Sequence, residues 1–302
     1  MTKWILLPLL LCSSASLAAE TLAGALEQAR ARRAPVIVDF HAPWCYSCYF
    51  MARNVLTGTD WERVRAQSVI LDVDVDSPDG AQLMQDWQVK AIPSYVVLNE
   101  AGEELGRILG EQTRADFYRQ LGAILARGSP LTRLRQRALQ PDAAGAAAAA
   151  EVLAAYHARR DGEGGLEWWL GLPQSVRAQH AADPLVSAWR HRLAFLRDSI
   201  REDLHACQAS GRVVLQEVVL GCDYAYELQR YLGCTAPLPA AERRSRLASL
   251  QPAPLPRLAA DAERCADVRS ITFATADLHL ALGDTEAAAG VWRQAIHRSR
   301  EA

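Results

Sequence analysis

The chain has 302 residues, of which half are hydrophobic and 23% are charged. That balance is ordinary for a globular protein and excludes wholesale disorder, and the length favours two domains. The formal net charge of −2 argues against a nucleic-acid-binding protein, which normally carries a basic excess or a basic stripe.

The first eighteen residues have the pattern of a signal peptide. Lys3 supplies a positive start, an apolar core follows, and Ser16-Leu17-Ala18 is a small-x-small cleavage site. The core is too short to span a bilayer. A lipobox needs a small residue before its cysteine, and Leu11 before Cys12 is large, so lipoprotein anchoring is not expected. We therefore predict a signal peptide over residues 1–18 and export to the periplasm.

Residues 19–128 alternate between strand and helix patterns. β-branched apolar runs predict buried strands, and amphipathic spacing predicts helices between them. Strands that alternate with helices imply an α/β fold with a mixed sheet covered on both faces. The predicted elements are helix Leu22–Arg32, strand Pro35–Phe40, helix Cys48–Val55, strand Val69–Val75, helix Ala81–Gln88, strand Ser94–Leu98, a strand from Gly102 to Leu109, and helix Arg114–Ala126.

The second half is predicted to be an all-α domain over residues 142–302, joined by a linker over residues 129–141 that starts with Gly-Ser-Pro. Its end resembles a tetratricopeptide-type hairpin, with Gly283-Asp284 at the turn and Trp292 as an aromatic knob. Only one copy is legible, so this is either the last repeat of a degenerate array or a plain helical hairpin. The predicted helices are Ala144–Arg160, Leu185–Ser210, Val213–Tyr231 and Thr272–Arg300.

Six cysteines follow the signal peptide, an even number that suggests disulfides in an oxidising compartment. Four of them are too irregularly spaced for a zinc site built from paired CxxC units. We predict that these four form two structural disulfides, with all three pairings open. The alternatives are a second redox relay that exchanges with Cys45, free thiols, or intermolecular disulfides. The four are Cys207, Cys222, Cys234 and Cys265.

The remaining pair, Cys45 and Cys48, stands where a predicted strand gives way to a predicted helix. Cys45 then lies at the helix N-terminus, where free N–H groups and the helix dipole stabilise a thiolate. Cys48 lies one turn later, close enough to form a disulfide and less exposed. This arrangement suits thiol–disulfide exchange, in which Cys45 attacks and Cys48 resolves the mixed disulfide. A structural disulfide or half of a metal site is the simpler alternative.

Two further residues bear on this chemistry. Asp39 lies in an apolar strand, and burial would raise its pKa, so that the carboxyl could take the proton from Cys48. Alternatively, it lies at the strand end and reaches solvent. Pro93 directly precedes a predicted strand, where it need not donate a ladder hydrogen bond.

Together these features resemble the thioredoxin superfamily. The resemblance is carried by Trp44-Cys45-Tyr46-Ser47-Cys48, by Asp39 six residues before the first cysteine, and by Ile92-Pro93 before a strand. It covers about 105 residues, roughly a third of the chain. Within the superfamily, residues 36–51 and 86–98 look most like the periplasmic C-terminal domain of the DsbD-type thiol:disulfide interchange proteins.

The resemblance implies a thioredoxin fold and assigns a role to each matching residue. Cys45 matches the nucleophile, Cys48 the resolving thiol and Asp39 the buried acid. Substrate binding is implied for Trp44, for Pro93 as a cis-proline facing the site, and for the backbone of Ile92.

The chain also departs from the family pattern. The dipeptide Tyr46-Ser47 differs from that of thioredoxins and of the strongly oxidising periplasmic enzymes, so it does not set the direction of electron flow. Asp72 and Asp74 stand where thioredoxins carry a lysine near the buried acid. His41 replaces a frequent tryptophan, and either favours the thiolate or is a plain surface residue.

We therefore predict a periplasmic protein thiol–disulfide oxidoreductase that reduces or isomerises protein disulfides. Its expected partners are protein thiol or disulfide clients and a separate electron donor or acceptor, for which a membrane protein is one candidate. No nucleic acid, no metal and no cofactor beyond the redox-active Cys45–Cys48 disulfide are expected. The alternative is a scaffold or chaperone of envelope assembly, for example in cytochrome c biogenesis, that binds thiol clients. Copper handling is a third possibility, with Met51 and His41 as local ligands.

Overall fold

The computed structural model describes residues 21–265 and 267–301, so the predicted signal peptide lies outside the described residues. The first part is an α/β domain built on a four-stranded sheet of order β2-β1-β3-β4. Strand β1 runs parallel to β2 and antiparallel to β3, and β4 is an edge strand. Its elements are α1 (Leu22–Arg32), β1 (Val36–His41), α2 (Tyr46–Asn54), α3 (Gly58–Gln67), β2 (Val69–Asp74), α4 (Pro78–Asp86), β3 (Ser94–Leu98), β4 (Glu104–Leu109) and α5 (Arg114–Arg127).

Alternation along β1 builds a core on each face of the sheet. Val36, Val38 and Phe40 pack with side chains of α1 and α4 on one face. Ile37 packs on the other face with Met51 of α2 and with side chains of α3 and α5. The face under α2 is therefore the one that can place a β1 side chain beneath the cysteine pair.

The rest of the chain is helical, which confirms the predicted α/β fold followed by an all-α domain. No strand occurs in this part of the described residues. The helices are α6 (Leu131–Arg137), α7 (Ala143–Ala158), α8 (Gly162–Gly171), α9 (Gln174–His180), α10 (Pro184–Ile200), α11 (Leu204–Glu217), α12 (Tyr224–Thr235), α13 (Ala240–Ala248), α14 (Pro254–Arg264), α15 (Val268–Leu282) and α16 (Thr285–Glu301).

Several predicted boundaries were wrong. The helix predicted over Leu185–Ser210 is two helices, because Glu202 takes a left-handed conformation and the Asp203 carboxylate caps α11 at the N–H of Ala206. The helix predicted over Val213–Tyr231 is split between α11 and α12, because a 3₁₀ turn over Gly221–Asp223 interrupts it. The stretch 129–141, predicted as a linker, contains α6.

Helix α10 joins two cores in the helical domain. Leu193 packs with Trp169 and the alanines of α7, while Phe195 packs with α11, α12 and α15. The helices meet closely where Gly211 faces Phe195 and Tyr231, since a Cβ at Gly211 would lie 2.6 and 2.7 Å from their rings.

The four later cysteines are joined as Cys207–Cys234 and Cys222–Cys265, with Cα–Cα distances of 6.0 and 5.7 Å. Cys207 and Cys234 are both buried in the core, whereas Cys222 is exposed. Among the described helices, none combines the length and hydropathy that crossing a membrane requires.

Candidate functional site

The reactive pair lies at the N-terminal end of α2. Cys45 is the N-cap residue, and its sulfur accepts a hydrogen bond from the backbone N–H of Cys48 at 3.1 Å. The two sulfurs form a disulfide, with a Cα–Cα distance of 5.2 Å. Free N–H groups and the positive end of the helix dipole therefore face Cys45, which favours its thiolate when the disulfide is reduced.

Apolar residues surround the disulfide, while aromatic side chains flank it in solvent. Cys45 and Cys48 are buried in a small cluster with Ala42, and Ile92 packs against this cluster. Trp44 is 70% exposed. Its indole N–H donates to Asp76 Oδ2 at 2.7 Å, which fixes the ring beside Cys45.

The loop before β3 forms the opposite side of the site. The Ile92–Pro93 peptide bond is cis. Pro93 is buried, and its carbonyl accepts a hydrogen bond from the N–H of Gly110 at 2.8 Å. The proline loop borders the cysteine pair through Ile92, and this bond ties it to the segment after β4.

Asp39 lies on β1 two residues after Ile37, so both side chains point to the sheet face that α2 covers. Its side chain is 9% exposed, and Oδ1 has no hydrogen-bond partner among the described residues. Burial, together with the smaller effect of Asp72 on the neighbouring strand, raises the pKa of Asp39 to about 8. Burial, followed by the nearby Asp39 carboxyl, also raises the pKa of Tyr95, which is Asp39's partner on β3. Asp39 is therefore a carboxyl that can hold a proton at neutral pH.

Comparison with known proteins gives the domain its family. Residues 18–100 match the family model described as thioredoxin-like. The N-terminal domain is thus a thioredoxin-like domain. It is 33% identical over 127 residues to the thiol:disulfide interchange protein TxlA of Synechococcus elongatus, a stretch of 39% of this chain and 64% of that protein.

Two further proteins are similar to part of this chain. The thiol:disulfide interchange protein DsbD of Pseudomonas fluorescens is 35% identical over 94 residues, or 30% of this chain and 16% of that protein. A solved thioredoxin from Thermus thermophilus is 33% identical, with 36% of this chain and 88% of that chain covered and a TM-score of 0.34. The chain thus spans less than two thirds of the length of both curated relatives.

One departure from the family pattern, Asp72, affects the pKa of Asp39. Asp72 pairs in register with Asp39 across β1 and β2, so an anion stands beside the buried acid. Like charges disfavour ionisation, which adds to the effect of burial on the pKa of Asp39. His41 ends β1 and is half-buried.

One contact at the site has no counterpart in the sequence predictions. Arg269, at the start of α15 in the helical domain, forms an ion pair with Glu111 of the thioredoxin-like domain. Its guanidinium carbon also lies 5.7 Å from the centre of the ring of Tyr46, a residue that lies between the two cysteines in the sequence. Glu111 and Arg269 are 158 residues apart, and no local pattern in the sequence signals such a pair.

Proposed function

We propose that this chain is an exported protein thiol–disulfide oxidoreductase that reduces or isomerises disulfides of other proteins. The observation that carries the proposal is the Cys45–Cys48 disulfide at the N-terminal end of α2, on the sheet face that also holds the buried carboxyl of Asp39, whose pKa is raised to about 8. The curated relatives named as thiol:disulfide interchange proteins support the same chemistry.

The proposed reaction transfers two electrons in two steps. The Cys45 thiolate attacks one sulfur of a client disulfide, and the other client sulfur leaves as a thiolate. Asp39, as a carboxylate, then takes the proton of Cys48, whose sulfur attacks Cys45 and releases the second client thiol. The client is reduced and the Cys45–Cys48 disulfide forms. A separate electron donor must reduce this disulfide before the next turnover.

Location and direction belong to the proposal. The signal-peptide pattern of residues 1–18 supports export to the periplasm. The DsbD-type resemblance supports the reducing or isomerising direction. In an oxidising compartment a dithiol stays reduced only if a partner keeps supplying electrons, so we expect a dedicated donor for Cys45–Cys48.

The test is reduction of insulin by dithiothreitol with the full mature chain as catalyst. We expect catalysis by the parent, none by Cys45→Ser, and a trapped mixed disulfide with Cys48→Ser. A Cys222→Ser/Cys265→Ser double variant is the control and should keep the activity. Equal rates for the parent and Cys45→Ser would contradict the proposal.

The reduction potential of Cys45–Cys48 tests the direction. A value near the roughly −270 mV of thioredoxin supports a reductase, and a value near the roughly −120 mV of DsbA contradicts it. Equilibration with glutathione buffers followed by alkylation of the free thiols gives this potential.

The size of the helical domain favours one other candidate, an assembly scaffold that binds thiol clients without turnover. More than half of the chain is helical domain, and it contains no predicted catalytic group. A Cys45→Ser/Cys48→Ser variant that still binds a client as tightly as the parent would favour the scaffold over the enzyme.

A further inference from the structure

The helical domain reaches the edge of the CxxC centre through one side chain. Arg269 is the second residue of α15, yet its guanidinium pairs with Glu111 of the thioredoxin-like domain and lies over the ring of Tyr46. Glu111 follows Gly110, whose N–H is hydrogen-bonded to the Pro93 carbonyl. Arg269 therefore contacts both the residue next to Cys45 and the segment tied to the proline loop.

The position of Arg269 is not explained by the stability of its own helix. A cation in the first turn faces the positive end of the helix dipole, which disfavours it. The side chain is also about half exposed, so it adds little to the core of the helical domain. Its partners at Glu111 and Tyr46 offset this cost, and both belong to the other domain.

Arg269 also extends the aromatic surface around Cys45 into the helical domain. Its guanidinium carbon lies 5.8 Å from the centre of the Phe273 ring, and Phe273 packs edge-on against Trp292 at 4.8 Å. Tyr46 is 67% exposed and Phe273 is 39% exposed. We call Tyr46, Arg269, Phe273 and Trp292 the aromatic row. It starts beside the reactive disulfide and ends on α16.

We propose that Arg269 is a specificity-determining residue of the CxxC centre and makes the aromatic row one wall of the client site. The occupant is a protein segment with apolar side chains beside its cysteine. That cysteine must reach Cys45, so the residues next to it pass over Tyr46. This proposal rests on the proposed function. Planar cation–aromatic contacts hold the rings in place, and rigid aromatic side chains dominate protein recognition.

The experiment compares two substrates of the pre-reduced full chain, insulin and the small aromatic disulfide DTNB. DTNB needs only access to Cys45, whereas insulin must also lie against the wall. We expect Arg269→Ala to lower the rate constant with insulin about fivefold or more, the loss typical of an interface residue that matters. The rate constant with DTNB should stay within twofold of the parent value, and the reduction potential should equal that of the parent within error.

Matched variants separate the contact from a general effect of lost charge. Arg246→Ala removes an arginine whose ion pair with Glu242 lies within one helix of the same domain, and it should leave both rates unchanged. Arg269→Lys keeps the charge for Glu111 but loses planar stacking on Tyr46, so it should fall between parent and Arg269→Ala.

Three outcomes would overturn the proposal: no change with either substrate, an equal loss with both, or a faster reaction with insulin. The last would mean that α15 obstructs clients. Failure of the proposed function looks different, because the parent chain itself would then fail to reduce insulin.

Discussion

At the scale of single residues, Asp39 combines a stability cost with a chemical use. Burial in the sheet makes its ionised form unfavourable, and Asp72 beside it makes ionisation harder still. An asparagine of the same shape would avoid this cost but could not accept a proton. We therefore expect the residue to be retained for chemistry at the expense of stability.

This cost predicts how stability depends on pH. The folded pKa of Asp39, about 8, lies above the ordinary 3.8, so the folded state holds a proton that the unfolded state releases. The stabilisation of the folded state by this proton is complete below about pH 4. It is lost as pH rises towards 8, and the free energy of unfolding falls by up to about 1.4 kcal/mol per pH unit. Asp39→Asn should therefore stabilise the chain increasingly from pH 5 to pH 8. Urea unfolding at several pH values measures this.

Asp72→Asn is the matched control for that series. It removes the neighbouring anion but keeps the buried acid. The stability of this variant should therefore level off at a lower pH than the stability of the parent. Parallel stability profiles for the parent and Asp39→Asn between pH 4 and 8 would show that another group titrates there.

At the scale of secondary structure elements, predictability follows burial. Strand β3 was predicted at its observed bounds because every residue of Ser94–Leu98 is buried, and all but Ser94 are apolar or aromatic. Helix α3 was not predicted, because no residue in it is fully buried and its only large apolar side chains, Trp61 and Val64, lie at the edge of the core. A helix held at the surface leaves little periodicity in the sequence.

The site divides in the same way. Cys45, Cys48 and Asp39 sit in or beside a local strand–helix pattern and could be proposed from the sequence. The contact between Arg269 and Glu111 depends on how two domains pack. Charged residues at helix starts are common on any surface, so their spacing carries no information about a partner in another domain.

A buried charge network joins three elements of the helical domain. Glu227 of α12 is fully buried and lies 3.2 Å from both Arg192 of α10 and Arg230 of its own helix. His157 of α7 lies 3.6 Å away. Burial raises the pKa of Glu227, but the nearby His157 side chain and the charges of Arg230 and Arg192 outweigh it and lower the pKa to about 2.

We predict that Glu227→Gln destabilises the chain by about 3–5 kcal/mol at pH 7, because the mostly buried guanidinium groups of Arg192 and Arg230 both lose this carboxylate and Arg192 keeps only its pair with Asp223. The folded pKa is below the ordinary 4.5, so this stabilisation is present above about pH 4.5 and is lost as pH falls towards 2. The gap between parent and variant should therefore shrink at pH 3 in urea unfolding.

Glu242→Gln serves as the control for this network, because its pair with Arg246 is exposed on one helix. Exposed pairs contribute about 0.5 kcal/mol or less. Similar losses for Glu227→Gln and Glu242→Gln would mean that the buried network contributes no more than a surface pair.

At the scale of the whole molecule, the helical domain lies along the edge strand of the sheet. Arg159, just after α7, pairs with Glu104 at the start of β4 at 2.5 Å. Arg269 pairs with Glu111 just beyond the end of β4. An exposed sheet edge invites pairing with other chains, and the helical domain covers this one. The helical domain therefore contacts the thioredoxin-like domain at both ends of β4, and the second contact, at Glu111, lies beside the CxxC centre.

Two ion pairs link α7 to the thioredoxin-like domain and differ mainly in burial. Arg159 and Glu104 are about nine-tenths buried, and Glu104 also binds Arg107. Burial raises the pKa of Glu104, but hydrogen bonds from Arg107 and the charges of Arg107 and Arg159 outweigh it and lower the pKa. Arg127 and Glu151 form the second pair at 2.6 Å and are partly exposed.

We predict that Arg159→Ala costs about 1–3 kcal/mol, because the Glu104 carboxylate stays buried with one arginine fewer. Arg127→Ala, the matched exposed pair, should cost at most about 1 kcal/mol. Loss of the junction should also free the helical domain, so hydrogen exchange in Arg159→Ala should rise in β4 and α7 together. Exchange confined to α7, with β4 as protected as in the parent, would show that Arg159 stabilises its own helix and does not hold the domains together.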